Sequence, residues 1–326
     1  MRNRVISIFV SAILITGFFA GYNATPANSE TQKFLIGYSQ ILGSHPFVLT
    51  LTEGAKDACE EWKQNGYDVE LIFTDGGSSD FATKQIADME DLAAQNIDCL
   101  LVFPGDSQVV GEAIESIYNA NNIPVVVTDI GVSKGEYISF LITDNYTGGG
   151  MAAELMASRI PEGAKVIAYN SAPGRENARL RVDGFMDKAK ELGLTVLNEI
   201  PSETSVEDGR KSMEDLLTST PDIGGVFHLT VTPAIGALSA LGAAGNTSCI
   251  VVTFDLDKVT FDMVADGSLA GCVIQDPYFM GHEGFNQAMY YLTGQSDKVR
   301  KDIPSPTSLL TIDNLEDFRD NIQASM

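Results

Sequence analysis

Three apolar, strand-like runs end on side chains suited to gripping hydroxyl groups. Pro124-Val-Val-Val-Thr-Asp129 ends in a carboxylate, Cys249-Ile-Val-Val-Thr-Phe-Asp255 in a second, and Ala270-Gly-Cys-Val-Ile-Gln275 in an amide. A carboxylate accepts from two adjacent hydroxyls at once, and such charge-assisted bonds are the stronger kind. In an open parallel sheet the carboxyl ends of the strands form the ligand crevice. Asp129, Asp255 and Gln275 therefore imply a cleft for a polar, uncharged ligand. A further candidate lies in Gly174-Arg-Glu-Asn-Ala-Arg-Leu-Arg-Val-Asp-Gly-Phe185, which follows a strand and opens a helix. Arg179 falls in the first turns, where a guanidinium can fork two hydroxyls. Arg175 and Arg181 read instead as a solvated helix face, with Asp183 or Asp187 within reach of Arg181.

These residues need a scaffold of alternating strands and helices. Short apolar runs predict strands near 34–39, 69–74, 99–103, 124–128, 138–142, 165–169, 225–229, 250–254 and 271–275. Continuous rather than alternating hydrophobicity is the pattern of strands covered on both faces. Between them, Phe47, Leu51, Ala55, Cys59 and Trp62 share one face of a first helix, ended by Gly66. Similar spacing predicts later helices over 147–159, 175–193, 206–219, 233–244, 257–266 and 279–293, and a last one started by Asp313 or Asn314. Strands alternating with helices form parallel sheets through right-handed crossovers. The cycle restarts after Asp144, which implies two similar α/β lobes. The expected limits are 30–143 plus 276–304 for the first lobe and 144–275 plus 305–326 for the second. The chain would cross between them near 138–146, at Gln275-Asp276, and at Lys301-Asp-Ile-Pro-Ser-Pro-Thr307. Several crossings make a hinge, and hinge closure around a ligand is a known switching mode.

Composition narrows the function. A basic start, Arg2 and Arg4, an apolar stretch from Val5 to Phe19 and small residues at Ala24 and Ala27 read as a cleavable export signal over residues 1–29. About 15 apolar residues fall short of the roughly 20 that span a bilayer. The net charge is −23, and losing Arg2 and Arg4 would deepen it by two. So acidic a chain repels nucleic acid and anionic membranes. The four cysteines, Cys59, Cys99, Cys249 and Cys272, match no zinc spacing. Cys249 and Cys272 each open a predicted strand in the same half, so a disulfide between them is one reading and four small buried hydrophobes the other. The three histidines, His45, His228 and His282, form no zinc-type pair. No nucleophile elbow, P-loop or dinucleotide fingerprint occurs. Gly148-Gly-Gly150 opens a predicted helix without the P-loop continuation and reads as close helix packing. No catalysis, metal or cofactor is expected.

The order of Pro46-Phe47, Pro124-Val-Val-Val-Thr-Asp129, Thr143-Asp-Asn145, Ala178-Arg-Leu-Arg-Val-Asp-Gly-Phe185, Val251-Val-Thr-Phe-Asp255 and Val273-Ile-Gln275-Asp-Pro-Tyr-Phe-Met-Gly281 resembles the ribose-binding protein family, from about Phe34 to about Leu310. The resemblance implies the type I periplasmic binding protein fold and a periplasmic, monomeric solute-binding component of an ABC sugar importer, which hands its ligand to a membrane permease. It also implies site roles. Phe47 would stack on the sugar ring, Asp129 and Asp255 would bind vicinal hydroxyls, and Arg179 and the hinge Gln275 would complete the grip. Gln40, His45 and Thr230 stand at matching strand and helix ends. Three departures separate the chain from the family pattern. Ile130 follows Asp129 where an arginine is frequent, Thr230-Val-Thr232 replaces an Asn–Asp pair, and the loop Gln40–Pro46 offers His45 where an asparagine is frequent. With an arginine and an amide gone, a deoxy sugar, polyol or less oxygenated sugar fits better than ribose. A sensor that presents a sugar or furanosyl quorum signal to a receptor is the alternative from another class. Neighbouring permease and ATPase genes would separate the two. An enzyme would need Asp129 and Asp255 as an acid–base pair, and product formation would reveal it.

Overall fold

The computed structural model describes residues 32–77, 81–170, 176–202 and 205–319. The export-signal expectation and Arg175 lie outside them. The first lobe runs β1 (Lys33–Gln40), α1 (Pro46–Gln64), β2 (Asp68–Asp75), α2 (Phe81–Ala94), β3 (Cys99–Val102), α3 (Ser107–Ala113), β4 (Val125–Thr128) and β5 (Ser139–Thr143). The second runs α4 (Asn145–Arg159), β6 (Lys165–Asn170), α5 (Glu176–Glu191), β7 (Thr195–Val196), β8 (Ile200–Pro201), α6 (Val206–Ser219), β9 (Ile223–His228), α7 (Val231–Ala243), β10 (Ile250–Phe254), α8 (Lys258–Ala265) and β11 (Gly271–Gln275). The chain then returns through α9 (Pro277–Leu292) and β12 (Asp302–Ser305) to the first sheet, and through β13 (Thr307–Leu310) to the second.

All nine expected strands are present. The short β7, β8, β12 and β13 had no sequence signal, because two to four residues are too few to show a hydrophobic period. The expected linker around Pro304 and Pro306 is largely sheet: β12 pairs parallel with β5, and β13 pairs antiparallel with β11, with only Pro306 between them. A proline is tolerated on an edge strand because its missing N–H faces away from the ladder. The final helix is a 3-10 segment, Ile312–Phe318, capped by Thr311 in a reciprocal capping box with Asn314. Asp313 and Asn314, the expected starting residues, lie inside it.

The sheets read β12-β5-β4-β3-β1-β2 and β13-β11-β10-β9-β6-β7, with β8 beside β6. Apart from β13, every pairing is parallel. With β7 and β8, which both pair with β6, counted as one interrupted strand, both sheets place their lobe's strands in the order 5-4-3-1-2, so each is doubly wound with its switch point between the first and third strands. Each sheet is buried on both faces. In the first, Ile36, Tyr38 and Val126 meet α1 and α9 on one side, while Leu100, Val102 and Val127 meet α2 and α3 on the other. Three helix pairs cross very closely, one of them α6 on α7, where a Cβ on Gly209 or Gly236 would lie 2.0 Å from the carbonyl oxygen of Pro233 or Val206. A Cβ on Gly54 would lie 2.2 Å from the carbonyl oxygen of Tyr278, and one on Gly281 1.8 Å from that of Leu51. In the second lobe Gly149 and Gly184 stand in the same relation to Arg181 and Tyr146, at 2.0 and 1.9 Å. Close packing thus accounts for part of the Gly148–Gly150 run. The two lobes repeat one design, and the chain crosses between them after β5, after β11 and at Pro306.

All four cysteines are buried and unpaired, which excludes the Cys249–Cys272 disulfide. Cys249 precedes β10 while Cys272 lies within β11, and burial pushes both thiols up, that of Cys249 to about 12. Trp62 packs edge-on against Tyr67 and Tyr290 and donates its indole N–H to Asn286 at 2.7 Å, a packing role far from the cleft end of α1.

Candidate ligand-binding site

The two strand-end carboxylates hold the most unusual backbone of the site. Asp129 follows β4 at φ +61°, and Asp255 follows β10 at φ +74°. Left-handed backbone is disfavoured for a residue with a Cβ, although Asp tolerates it better than most, and such positions cluster at functional sites. The two residues are also equivalents in the repeated design. The Asp129 N–H donates to the Leu141 carbonyl on β5 at 2.8 Å, and the Asp255 N–H to the Val273 carbonyl on β11 at 2.9 Å. Each lobe therefore ends its fourth strand with a kink that turns a carboxylate out of the sheet line. Asp129 is only 5% exposed.

Gln275 joins the lobes. Its Nε2 donates to Asp255 Oδ1 at 2.5 Å, and its Oε1 accepts from the Thr143 hydroxyl at 2.7 Å. Thr143 ends β5 and Gln275 ends β11, so this pair bridges equivalent strand ends of the two sheets. Asp144 and Asp276 follow directly, and each caps the next helix, on Thr147 N–H at 3.0 Å and Phe279 N–H at 2.8 Å. A cavity of about 500 Å³ opens beside Asp255 and Gln275, walled by Leu256, Ile274, Tyr278, Pro306 and Phe318.

Of the other expected site residues, Phe47 and Thr230 stand where the sequence places them. Phe47 is half-buried in the first turn of α1, and its ring centroid lies 6.0 Å from that of Phe103, just past β3. Thr230 occupies the N-cap of α7, and its side chain makes no cap bond to that helix. His45 is exposed and caps α1, its Nδ1 accepting the Phe47 N–H at 3.3 Å, so it fixes the start of the helix that carries Phe47. Gln40 turns inward. Its amide nitrogen and oxygen both meet the Thr52 hydroxyl, at 2.9 and 3.0 Å.

The arginines exchange surroundings. Arg179 lies on the exposed face of α5, paired with Glu176 and with Asp183. Arg181, expected on a solvated face, is 5% exposed. Its Nε donates to Asn145 Oδ1 at 2.8 Å, its Nη1 donates to the Leu229 carbonyl at 3.2 Å, and its guanidinium lies 4.0 Å above the Phe254 ring. Leu229 precedes Thr230, and Phe254 precedes Asp255, so Arg181 sits at the strand ends that carry the site. Neither Asp183 nor Asp187 holds it: Asp183 pairs with Arg179, and Asp187 accepts from the Tyr146 hydroxyl. The signal was present in the sequence. Ala178, Arg181, Val182 and Phe185 follow an i, i+3, i+4, i+7 pattern, which defines the buried face of a helix. Arg179, two residues away, points elsewhere.

A family model for a periplasmic binding protein domain matches residues 36–296. The chain belongs to the periplasmic binding protein family. Among its relatives, the ribose import binding protein RbsB of Bacillus subtilis (strain 168) is 34% identical over 289 residues, covering 88% of this chain and 91% of that protein. The ribose import binding protein RbsB of Escherichia coli (strain K12) is 31% identical over 310 residues, covering 95% of this chain and 99% of that one. The crystal structure of a periplasmic ribose ABC transporter from Conexibacter woesei DSM 14684 superposes with a TM-score of 0.80 at 21% identity, covering 89% of this chain and 96% of that chain, which shows the shared fold. As a periplasmic binding protein, the chain binds a solute and is not an enzyme.

Proposed function

We propose that this periplasmic binding protein captures a small sugar or polyol between its lobes, closes about the hinge, and delivers the ligand to the membrane permease of an ABC importer. The observation that carries the reading is the pair of left-handed, strand-end carboxylates, Asp129 and Asp255, one from each lobe. Ribose import relatives at 31–34% identity support the sugar class. Phe47 supplies an aromatic face for the C–H side of a sugar ring. Asp129, Asp255, Gln275 and Thr230 supply acceptors and donors for hydroxyls, with His45 fixing the first turn of α1 and Gln40 buttressing it from within. Arg181 takes the role first assigned to Arg179, because it is the guanidinium at the strand ends. Closure needs a ligand that interacts better with the closed form, and contacts from both lobes meet that need.

The lobe limits fall at 143/144, at 275/276 and at Pro306 rather than 304/305, because Ser305 still pairs with Thr143 in the first sheet, and the protein works as an exported monomer. A thermal-shift screen against pentoses, hexoses, deoxy sugars, polyols and amino acids tests the reading. At a thousandfold excess over Kd, a ligand that binds only the folded state stabilises it by about 4 kcal/mol. A large shift with a sugar or polyol is expected. A flat response to all of them, or a shift with amino acids alone, would sink it.

A further inference from the structure

The two halves of the cleft are built on equivalent positions from unlike chemistry. In the first lobe the switch point lies between β1 and β3, the place where doubly wound sheets bind ligands. Phe47 stands past the end of β1 and Phe103 past the end of β3, their ring planes inclined at 42°. The Phe103 backbone is pinned on both sides: its N–H donates to the Ser39 carbonyl at 2.9 Å, and its carbonyl accepts from Gln85 Nε2 at 2.8 Å. The ring is 6% exposed and backs the half-exposed ring of Phe47. Ile130, next to Asp129, is 4% exposed and belongs to the same apolar cluster. Gln40, the polar side chain at the end of β1, is bonded to Thr52. Phe47, Phe103 and Ile130 thus give this shelf an aromatic and aliphatic wall beside the carboxylate of Asp129. The second lobe offers Thr230, Asp255, Gln275 and Arg181. After β9, the position equivalent to Phe103 is Leu229, whose carbonyl already accepts from Arg181.

We infer that Phe103, together with Ile130, selects a ligand with one unhydroxylated edge: a deoxy or methyl-bearing sugar whose C–H edge lies on the aromatic and aliphatic wall of the first lobe and whose hydroxyls face Asp129 and the second lobe. This rests on the reading of the cleft as a sugar site. Phe103 also backs Phe47, whose ring the ligand meets. A hydroxyl pressed against this wall would lose its water without gaining a partner. Apolar pockets reject an added hydroxyl by roughly tenfold to a hundredfold.

Calorimetric titration with three matched pairs tests the inference: D-ribose and 2-deoxy-D-ribose, D-galactose and its 6-deoxy form D-fucose, L-mannose and its 6-deoxy form L-rhamnose. In at least one pair the deoxy member should bind about tenfold tighter or more. Phe103→Asn should cut that ratio about tenfold, whereas Phe103→Leu, which keeps an apolar wall, should preserve most of it. Should Phe103→Asn fail to fold, Ile130→Thr reads the same ratio and should lower it about threefold, since its hydroxyl gives the added ligand hydroxyl a partner. Tighter or equal binding of the hydroxylated member in every pair overturns the inference and leaves the sugar reading standing. So does a ratio untouched by these polar substitutions. Failure of all six sugars to bind overturns the inference, and the sugar reading falls with it only where the wider screen of pentoses, hexoses and polyols is also flat.

Discussion

His228 should make the protein lose stability in mild acid, by an amount that one substitution removes. It ends β9, is fully buried, and stacks on Tyr169 with ring centroids 4.3 Å apart and planes inclined by 8°. Neither ring nitrogen has a hydrogen-bond partner among the described residues. Burial pushes the imidazole from its ordinary 6.5 down to about 3, against a weaker upward pull from Asp208. Between those two values the unfolded chain binds a proton on this ring and the folded chain does not, so stability rises with pH. The contribution is fully present above about 6.5 and is lost as pH falls, at up to about 1.4 kcal/mol per unit. From pH 7 to pH 5 the loss from this residue is about 2 kcal/mol. His228→Phe keeps a stacking ring and cannot titrate. Urea denaturation of both forms at pH 7 and pH 5 gives the double difference, in which the shared carboxylates cancel. The wild type should lose about 2 kcal/mol more than the variant. A constant offset at either pH would reflect the fit of the larger ring, about 1 kcal/mol or more if overpacked. Equal pH dependence in the two forms would refute the argument.

Five substitutions probe the site. Asp129→Asn and Asp255→Asn keep a side chain that tolerates left-handed backbone, so they remove charge with little added strain. Each should weaken sugar binding about tenfold to a hundredfold by titration, with a thermal midpoint close to the wild type. Gln275→Leu removes both the bond to Asp255 and the bond to Thr143, and affinity should fall by a similar factor. Small-angle scattering without ligand should also show a changed lobe opening, and an unchanged profile would mean that the bridge does not set the resting angle. Arg181→Met should abolish most binding while Arg179→Met leaves Kd within about twofold, because surface ion pairs contribute little. The reverse ranking would restore the first assignment of Arg179.

Residue types and local spacing determined much of this protein. The nine main strands follow from short apolar runs bounded by turns, and the strand-ending residues Asp129, Asp255 and Gln275 from their place at the close of those runs. Both levels agree there because a strand covered on two faces must be apolar throughout and can turn polar only where it leaves the sheet. Tertiary structure decided the rest. The short edge strands β12 and β13 exist because β5 and β11 present open ladders to a proline-containing segment with little preference of its own. Gln40 ends its strand like a ligand residue, yet Thr52, one helix away, takes its amide. Arg179 and Arg181 are neighbours of one chemical type; helical spacing marks the face that Arg181 shares, but the packing of α5 on α4, drawn close by Gly149 and Gly184, is what carries that guanidinium to the strand ends. Phe103 had no local mark at all: its importance comes from standing across a switch point from Phe47, a neighbour 56 positions earlier in the chain. Hydrophobic pattern specifies which residues leave the solvent. Which of them meet at the site is fixed by strand order, which depends on pairings between segments far apart in sequence.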